Sequence, residues 1–140
     1  MVNIKQKAAG GHAEDVSIEF EPCNGFFELI AKVKNKTLMV MQCIVNGDEL
    51  TIHDIEAKGF HPMWRPRKNV NKGYGSKLMG ALFDYAKEHN IHRISGYLSF
   101  NDILHKERLH AFYTKHGFDI VEYDEVDDDN YYGRIEKILI

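Results

Sequence analysis

Hydrophobic and polar residues alternate along most of this chain with the period of β-strands. Val16, Ile18 and Phe20, for example, are separated by polar residues, which indicates a strand with one buried face. The same reasoning predicts seven strands, at residues 16–21, 26–34, 37–45, 49–57, 91–100, 118–123 and 131–139. Residues Met1–Ala13 lack an apolar period and are predicted to be a loosely ordered lead-in.

The polar segments between the first four strands are short. Asn46-Gly47-Asp48 is a hairpin signal, because Asn-Gly readily adopts positive backbone angles. The third predicted strand, Thr37–Val45, is almost continuously apolar, which predicts burial on both of its faces.

Two stretches have the period of a helix instead. In the first, Gly75–His89, the apolar residues fall on one helical face, at Leu78, Leu82, Tyr85 and Ala86. In the second, Leu109, Phe112, Tyr113 and His116 share a face, with Asn101 or Asp102 as the predicted cap and Gly117 as the stop. The resulting order is four strands, helix, strand, helix and two strands.

A long connection, Lys58–Lys72, separates the fourth strand from the first helix. It contains two prolines, five cationic side chains and the only tryptophan, Trp64. Connections of this length in small domains are usually functional or disordered. A lid over a binding site and a plain surface insertion both fit this composition.

Composition places the chain among ordinary globular proteins. Its 140 residues, of which 44% are hydrophobic, predict one domain spanning residues 1–140. A formal net charge of -3 does not make nucleic acid the default partner. Two cysteines, no amino-terminal signal pattern and no apolar run of about 20 residues predict a reduced, cytoplasmic protein that does not associate with membranes.

The sequence Asn71-Lys72-Gly73-Tyr74-Gly75-Ser76 opens the first helix with two closely spaced glycines. Glycine lets a ligand approach the main chain closely. The first amides of a helix lack intrahelical partners and lie at the positive end of its dipole, so that a phosphate group binds well there. A plain connecting turn is the alternative interpretation.

Together with the segment from Ala111 to Phe118, this turn resembles motifs of the GNAT superfamily, acyltransferases that use acetyl-CoA. Gly73 and Gly75 match the family's phosphate turn, and Phe112-Tyr113 followed by Gly117-Phe118 matches the end of its late helix. The resemblance covers roughly residues 50–139. It implies an α/β fold with a mixed, splayed sheet of about seven strands flanked by helices.

The chain departs from the family pattern at several points. Val70 stands where the family usually has Arg or Gln, and Lys106 where Asn often begins the late helix motif. The connection before the glycine turn is longer than usual. The helix pair that normally follows the first strand is predicted to be reduced or absent, because Pro22–Phe27 leaves no room for it.

By this resemblance, the protein is an N-acetyltransferase that transfers an acetyl group from acetyl-CoA directly to a primary amine, without metal. Tyr113 is the expected general acid for the leaving thiolate. Glu56 is the first candidate for the base and His53 the second, with Asp54 beside them. The implied cofactor contacts are Ile55, Ala57, Val70, Asn71, Lys72, Gly73, Tyr74, Gly75, Ser76 and Asn101.

Several alternatives stay open at this point. A non-catalytic acyl-CoA-binding sensor or adaptor fits the substitution at Val70, and an RNA-binding protein fits the basic loop around Arg65-Pro66-Arg67-Lys68. The acidic run that starts at Asp124 is either a solvated turn or an attractor of cationic acceptors. His105, His110 and His116 are spaced wrongly for a metal site on one helical face. A homodimer is among the open oligomeric states.

Overall fold

The computed structural model describes residues 3–7, 15–57 and 73–139. Its strands are β1 (Asn3–Lys7), β2 (Asp15–Cys23), β3 (Phe26–Val33), β4 (Lys36–Asn46), β5 (Glu49–Ala57), β6 (Arg93–Ser99), β7 (Asp119–Glu122) and β8 (Tyr131–Ile138). Its helices are α1 (Tyr74–Glu88), a 3₁₀ helix (Phe100–His105) and α2 (Lys106–Lys115). The long connection Lys58–Lys72 lies outside the described residues. Its interpretations as a lid and as a surface insertion therefore both remain predictions.

The strands form one mixed sheet in the order β1-β2-β3-β4-β5-β6-β8-β7. β1 to β5 are successive antiparallel neighbours joined, from β2 onward, by two-residue turns. The turn at Lys34-Asn35 has positive φ at both residues (52° and 65°), the geometry whose twist matches flanking strands. The predicted mixed sheet is confirmed, with β1 as an additional edge strand.

β5 and β6 pair in parallel over only part of their length. Their register joins Glu49–Ile52 to Arg93–Gly96 and goes no further, although β5 continues to Ala57 and β6 to Ser99. On its other side β5 has a bulge: Ile52 pairs with Cys43 and Asp54 with Gln42, which leaves His53 without a partner in the ladder. A bulge bends its strand and raises the local twist. The predicted splay of the sheet therefore begins beyond Ile52.

The hydrophobic core lies between one face of the sheet and the two α-helices. α1 contributes Leu78, Met79, Leu82 and Ala86, all fully buried. Burial of a leucine side chain contributes about 1.5–3 kcal/mol. The strands contribute alternate residues, among them Val16, Ile18, Leu29 and Met41.

The opposite face of β2 to β6 is mainly polar. Lys32 pairs with Glu19 across β2 and β3 at 2.9 Å, Gln42 donates to Glu28 at 3.1 Å, and the Thr51 and Ser95 hydroxyls lie 3.3 Å apart. Only residues 8–14 join β1 to β2, which is too short for two helices of ordinary length. No helix precedes β5 among the residues that the structure describes, and the polar pattern suits a sheet face open to solvent.

Three local expectations were wrong. Asn3–Lys7 is a strand paired with β2, where a loose lead-in was predicted. Ile44 and Val45, at the end of β4, are each 38% exposed and not buried on both faces. A 3₁₀ helix precedes α2, and the Ser99 hydroxyl caps it by accepting from the amide of Asn101 at 3.2 Å.

Two further expectations concern the cysteines and membrane association. Cys23 and Cys43 are both free, and Cys43 is buried in the core. Among the described residues, neither helix combines the length and apolarity required to cross a bilayer.

Gly133 on β8 offers a test of the packing between β7 and β8. A Cβ atom at this position would lie 2.5 Å from the Val121 carbonyl oxygen and 3.2 Å from Cα of Glu122. Because backbone must move, we expect Gly133→Ala to lower the free energy of unfolding by about 1–3 kcal/mol in urea denaturation. Gly80→Ala in α1 is the matched control: nothing lies within 4 Å of its added Cβ, and it should be stabilising by about 0.5–1 kcal/mol. Equal midpoints for Gly133→Ala and wild type would contradict this packing.

Candidate active site

The amino terminus of α1 has an open main chain. Its N-cap, Gly73, has a left-handed conformation (φ 79°) that glycine adopts without strain, and it provides no side-chain cap. The first intrahelical bond runs from the amide of Lys77 to the carbonyl of Gly73 at 3.1 Å. The amides of residues 74–76 precede that bond, and the first turn contains no acidic residue. This terminus is suited to an anion.

Tyr74 and Gly75, both predicted to contact the cofactor, also take part in packing. Tyr74 is 2% exposed and packs in the core, so its side chain does not reach the cavity described below. A Cβ atom on Gly75 would lie 3.1 Å from the Phe112 ring. The lack of a side chain at Gly75 thus lets α2 approach α1, in addition to any role toward a ligand.

A cavity of about 570 Å³ extends from this helix terminus into the splay between β5 and β6. Residues from several parts of the fold surround it: the turn into α1, the end of β5, the second half of β6, the 3₁₀ helix, one side of α2, and a few positions of β4 and β8. Its lining includes the predicted residues His53, Ile55, Gly73, Gly75, Ser76 and Tyr113. The splay therefore connects the helix terminus to the predicted catalytic tyrosine.

Tyr113 lies on α2 and is 8% exposed. Its ring contacts those of Phe112 and Phe118 edge-on, with centroids 5.4 and 5.7 Å away. Burial raises the pKa of Tyr113 well above its usual range, and the carboxylates of Asp102 and Asp54 raise it further. The phenol is therefore protonated at neutral pH.

The end of β5 presents three residues to the cavity: His53, Asp54 and Ile55. Burial raises the pKa of Asp54, and the nearby Glu56 carboxylate adds to this effect. Glu56, the first predicted base, is exposed and absent from the lining. Ala57 ends β5, and its side chain lies outside the described part.

The segment before α2 differs most from expectation. Asn101 does not line the cavity; its side-chain oxygen accepts from the Asn130 amide at 3.1 Å. Asp102 and His105 line it instead, together with Arg108, whose guanidinium donates to Nδ1 of His105 at 3.0 Å.

The carboxyl end of α2 lies beside the α1 terminus. The Ser76 hydroxyl and Nε2 of His116 share a hydrogen bond of 3.0 Å, and Lys115 lines the cavity next to them. Burial lowers the pKa of His116, as do the charges of Lys115 and Lys137, so this imidazole is neutral at pH 7. The ammonium of Lys115 thus adds positive charge near the uncapped amides.

The remaining predicted contacts, Val70, Asn71 and Lys72, lie outside the described residues.

Sequence reasoning missed Asp102, Lys115 and Tyr97 as lining residues. For Lys115 a signal existed, since it stands two positions after Tyr113 near the end of the helix that faces the glycine turn. Lys106 begins α2 but contacts Glu122 and lies 5.8 Å over the Tyr132 ring, away from the cavity lining.

Comparison with known proteins identifies the same region. Residues 69–118 match the model of the Acetyltransferase (GNAT) family. A curated relative, the uncharacterized protein YocC of Bacillus subtilis (strain 168), is 38% identical over 68 residues. That match covers 49% of this chain and 39% of YocC, so the chain aligns with well under half of its relative's length.

Solved structures resemble the whole described sheet. Ard1 from Thermoplasma volcanium superposes with a TM-score of 0.62 at 17% identity, over 83% of this chain and 71% of Ard1. A Bacillus subtilis acetyltransferase in complex with CoA gives 0.60 at 18% identity, over 83% of this chain and 78% of its own. The predicted resemblance to the GNAT superfamily is therefore confirmed, in the sequence of residues 69–118 and in the fold of the described chain.

Proposed function

We propose that this protein is an N-acetyltransferase that transfers the acetyl group of acetyl-CoA directly to a primary amine. One observation carries the proposal: a single cavity joins the uncapped terminus of α1 to Tyr113 through the splay of the sheet. Acetyl-CoA bound along this cavity would have its phosphates at the terminus of α1, and the buried phenol of Tyr113 would lie at the other end.

Cofactor binding uses main-chain groups for the most part. The amides of Gly75 and Ser76 receive the diphosphate, and Lys115 supplies the cationic side chain that Val70 does not. The amide-bearing pantetheine arm pairs with the edge of β5 beyond Ile52, which β6 leaves free. The solved acetyltransferase relative with bound CoA supports this assignment.

The reaction begins when the acceptor ammonium loses a proton. Asp54 fits this role best, because it lines the cavity and its raised pKa makes it a stronger base than an ordinary aspartate. His53, beside it in the lining, is the second candidate, and Glu56 follows because it does not line the cavity.

The free amine then attacks the thioester carbonyl carbon and forms a C–N bond. The resulting oxyanion collapses, the C–S bond breaks, and the thiolate takes a proton from the Tyr113 hydroxyl. The nitrogen of the attacking amine carries an extra proton once the C–N bond has formed. The tyrosinate takes up this proton and becomes a neutral tyrosine again. The products are the N-acetylated amine and CoA, and the chain forms no covalent intermediate.

Isothermal titration with acetyl-CoA, combined with free-thiol release over a panel of primary amines, tests this function. We expect saturable binding and amine-dependent thiol release, with the acetylated amine identified by mass spectrometry. Binding without release for every amine would contradict catalysis and would favour a CoA-binding sensor or adaptor. Salt-sensitive RNA binding with no affinity for CoA would contradict both.

The variant Tyr113→Phe tests the proton donor. We expect kcat to fall about 100-fold, since a general acid contributes on this scale, while the Kd for acetyl-CoA stays within about twofold of wild type. The ring contacts with Phe112 and Phe118 remain, so the melting temperature is the control for intact packing. A wild-type kcat would reduce Tyr113 to a packing residue.

A further inference from the structure

The open face of the sheet carries an aromatic pair at the edge of the cavity, formed by an exposed and a half-buried tyrosine. Tyr97 on β6 is 57% exposed, although β6 is an interior strand. Its ring stacks on that of Tyr131, with centroids 4.8 Å apart and planes 18° from parallel. Both residues line the cavity that contains Tyr113. Large aromatic side chains with this exposure in a cavity are suited to contact a ligand.

The backbone places these two rings together through an irregularity in β8. Leu98 pairs with Gly133 and Ser99 with Tyr131, which leaves Tyr132 as an extra residue. On β6 the buried residues are Ile94, Gly96 and Leu98, so Tyr97 lies on the opposite face. Because the extra residue reverses the alternation of β8, Tyr131 also lies on that face and meets Tyr97.

Carboxylates accompany the aromatic pair. Asp54 and Asp102 line the same cavity, one from the end of β5 and one from the 3₁₀ helix. The cationic lining residues are on α2: Arg108 and, beside the α1 terminus, Lys115. Positive charge from Lys115 therefore lies toward the α1 terminus, whereas the carboxylates and the aromatic pair lie toward the splay, with Arg108 beside His105 of the 3₁₀ helix.

We propose that the acceptor is a primary amine joined by a short linker to an aromatic ring. Its ring stacks at the pair formed by Tyr97 and Tyr131, and its ammonium is held by Asp102 next to the base Asp54. This inference rests on the proposed acetyltransferase function and deepens it. A long polyamine fits less well, because its second ammonium would meet the positive charges of α2.

Acceptor kinetics with three amines test the proposal: 2-phenylethylamine, its saturated analogue 2-cyclohexylethylamine, and spermidine. We expect wild-type kcat/KM to favour the phenyl compound over the cyclohexyl compound by about fivefold, the scale of an aromatic contact beyond area burial. Tyr97→Ala should remove this preference through KM, and Tyr97→Phe should retain it. Phe26→Ala, an exposed aromatic outside the lining, is the matched control and should change nothing.

Asp102→Asn provides a second readout. We expect it to raise KM for 2-phenylethylamine about threefold, the scale of a partly exposed ion pair, with the Kd for acetyl-CoA unchanged. Equal use of both ring compounds, a preference for spermidine, or indifference to Tyr97→Ala would overturn this inference while the acetyltransferase function stands. Absence of thiol release with every amine would overturn the function and the inference together.

Discussion

The separation of β5 from β6 beyond Ile52 is the constraint on which the rest of this structure depends. Up to that point the two strands share a parallel ladder, and beyond it they do not pair with each other. The bulge at His53 bends β5 at the same position. A continuous sheet would satisfy more backbone groups, so the unpaired edge has a cost unless another amide-bearing chain pairs with it. The pantetheine arm has the chemistry to do so.

The two sides of this gap differ in chemical character, because the helices form one side and the open face of the sheet forms the other. On the helix side, α1 begins with uncapped amides beside Lys115, and α2 holds a buried, protonated Tyr113. On the other side, the sheet face is polar and carries the aromatic pair with neighbouring carboxylates. The missing early helix pair leaves this face uncovered by helices in the described part of the chain. The thioester and the amine can therefore approach the same point from opposite directions.

Much of the fold follows from local patterns in the sequence. The bounds predicted for β5 match the observed Glu49–Ala57, and α1 differs from its prediction by one residue at each end. Alternation, helical spacing and the glycine turn suffice there, because each reports burial or backbone geometry locally. The strand Asn3–Lys7 was missed because it has little apolar alternation and is paired only with β2.

The candidate site was less predictable, because strand irregularities place its side chains. The bulge at His53 changes the face on which Asp54 lies, and the extra residue Tyr132 brings Tyr131 to the face of Tyr97. No residue pattern marks either position in the sequence. Tyr113, in contrast, lies on a regular helix, where helical spacing predicts the face it occupies.

The central claim is that CoA occupies the gap between the free edge of β5 and the terminus of α1. Hydrogen exchange followed by mass spectrometry, with and without saturating CoA, tests it most directly, because exchange reports main-chain amides by position. The account predicts slower exchange in peptides covering residues 53–57 and 73–78, with unchanged exchange in β2. Bound CoA that leaves exchange in both of those segments unaltered would contradict it.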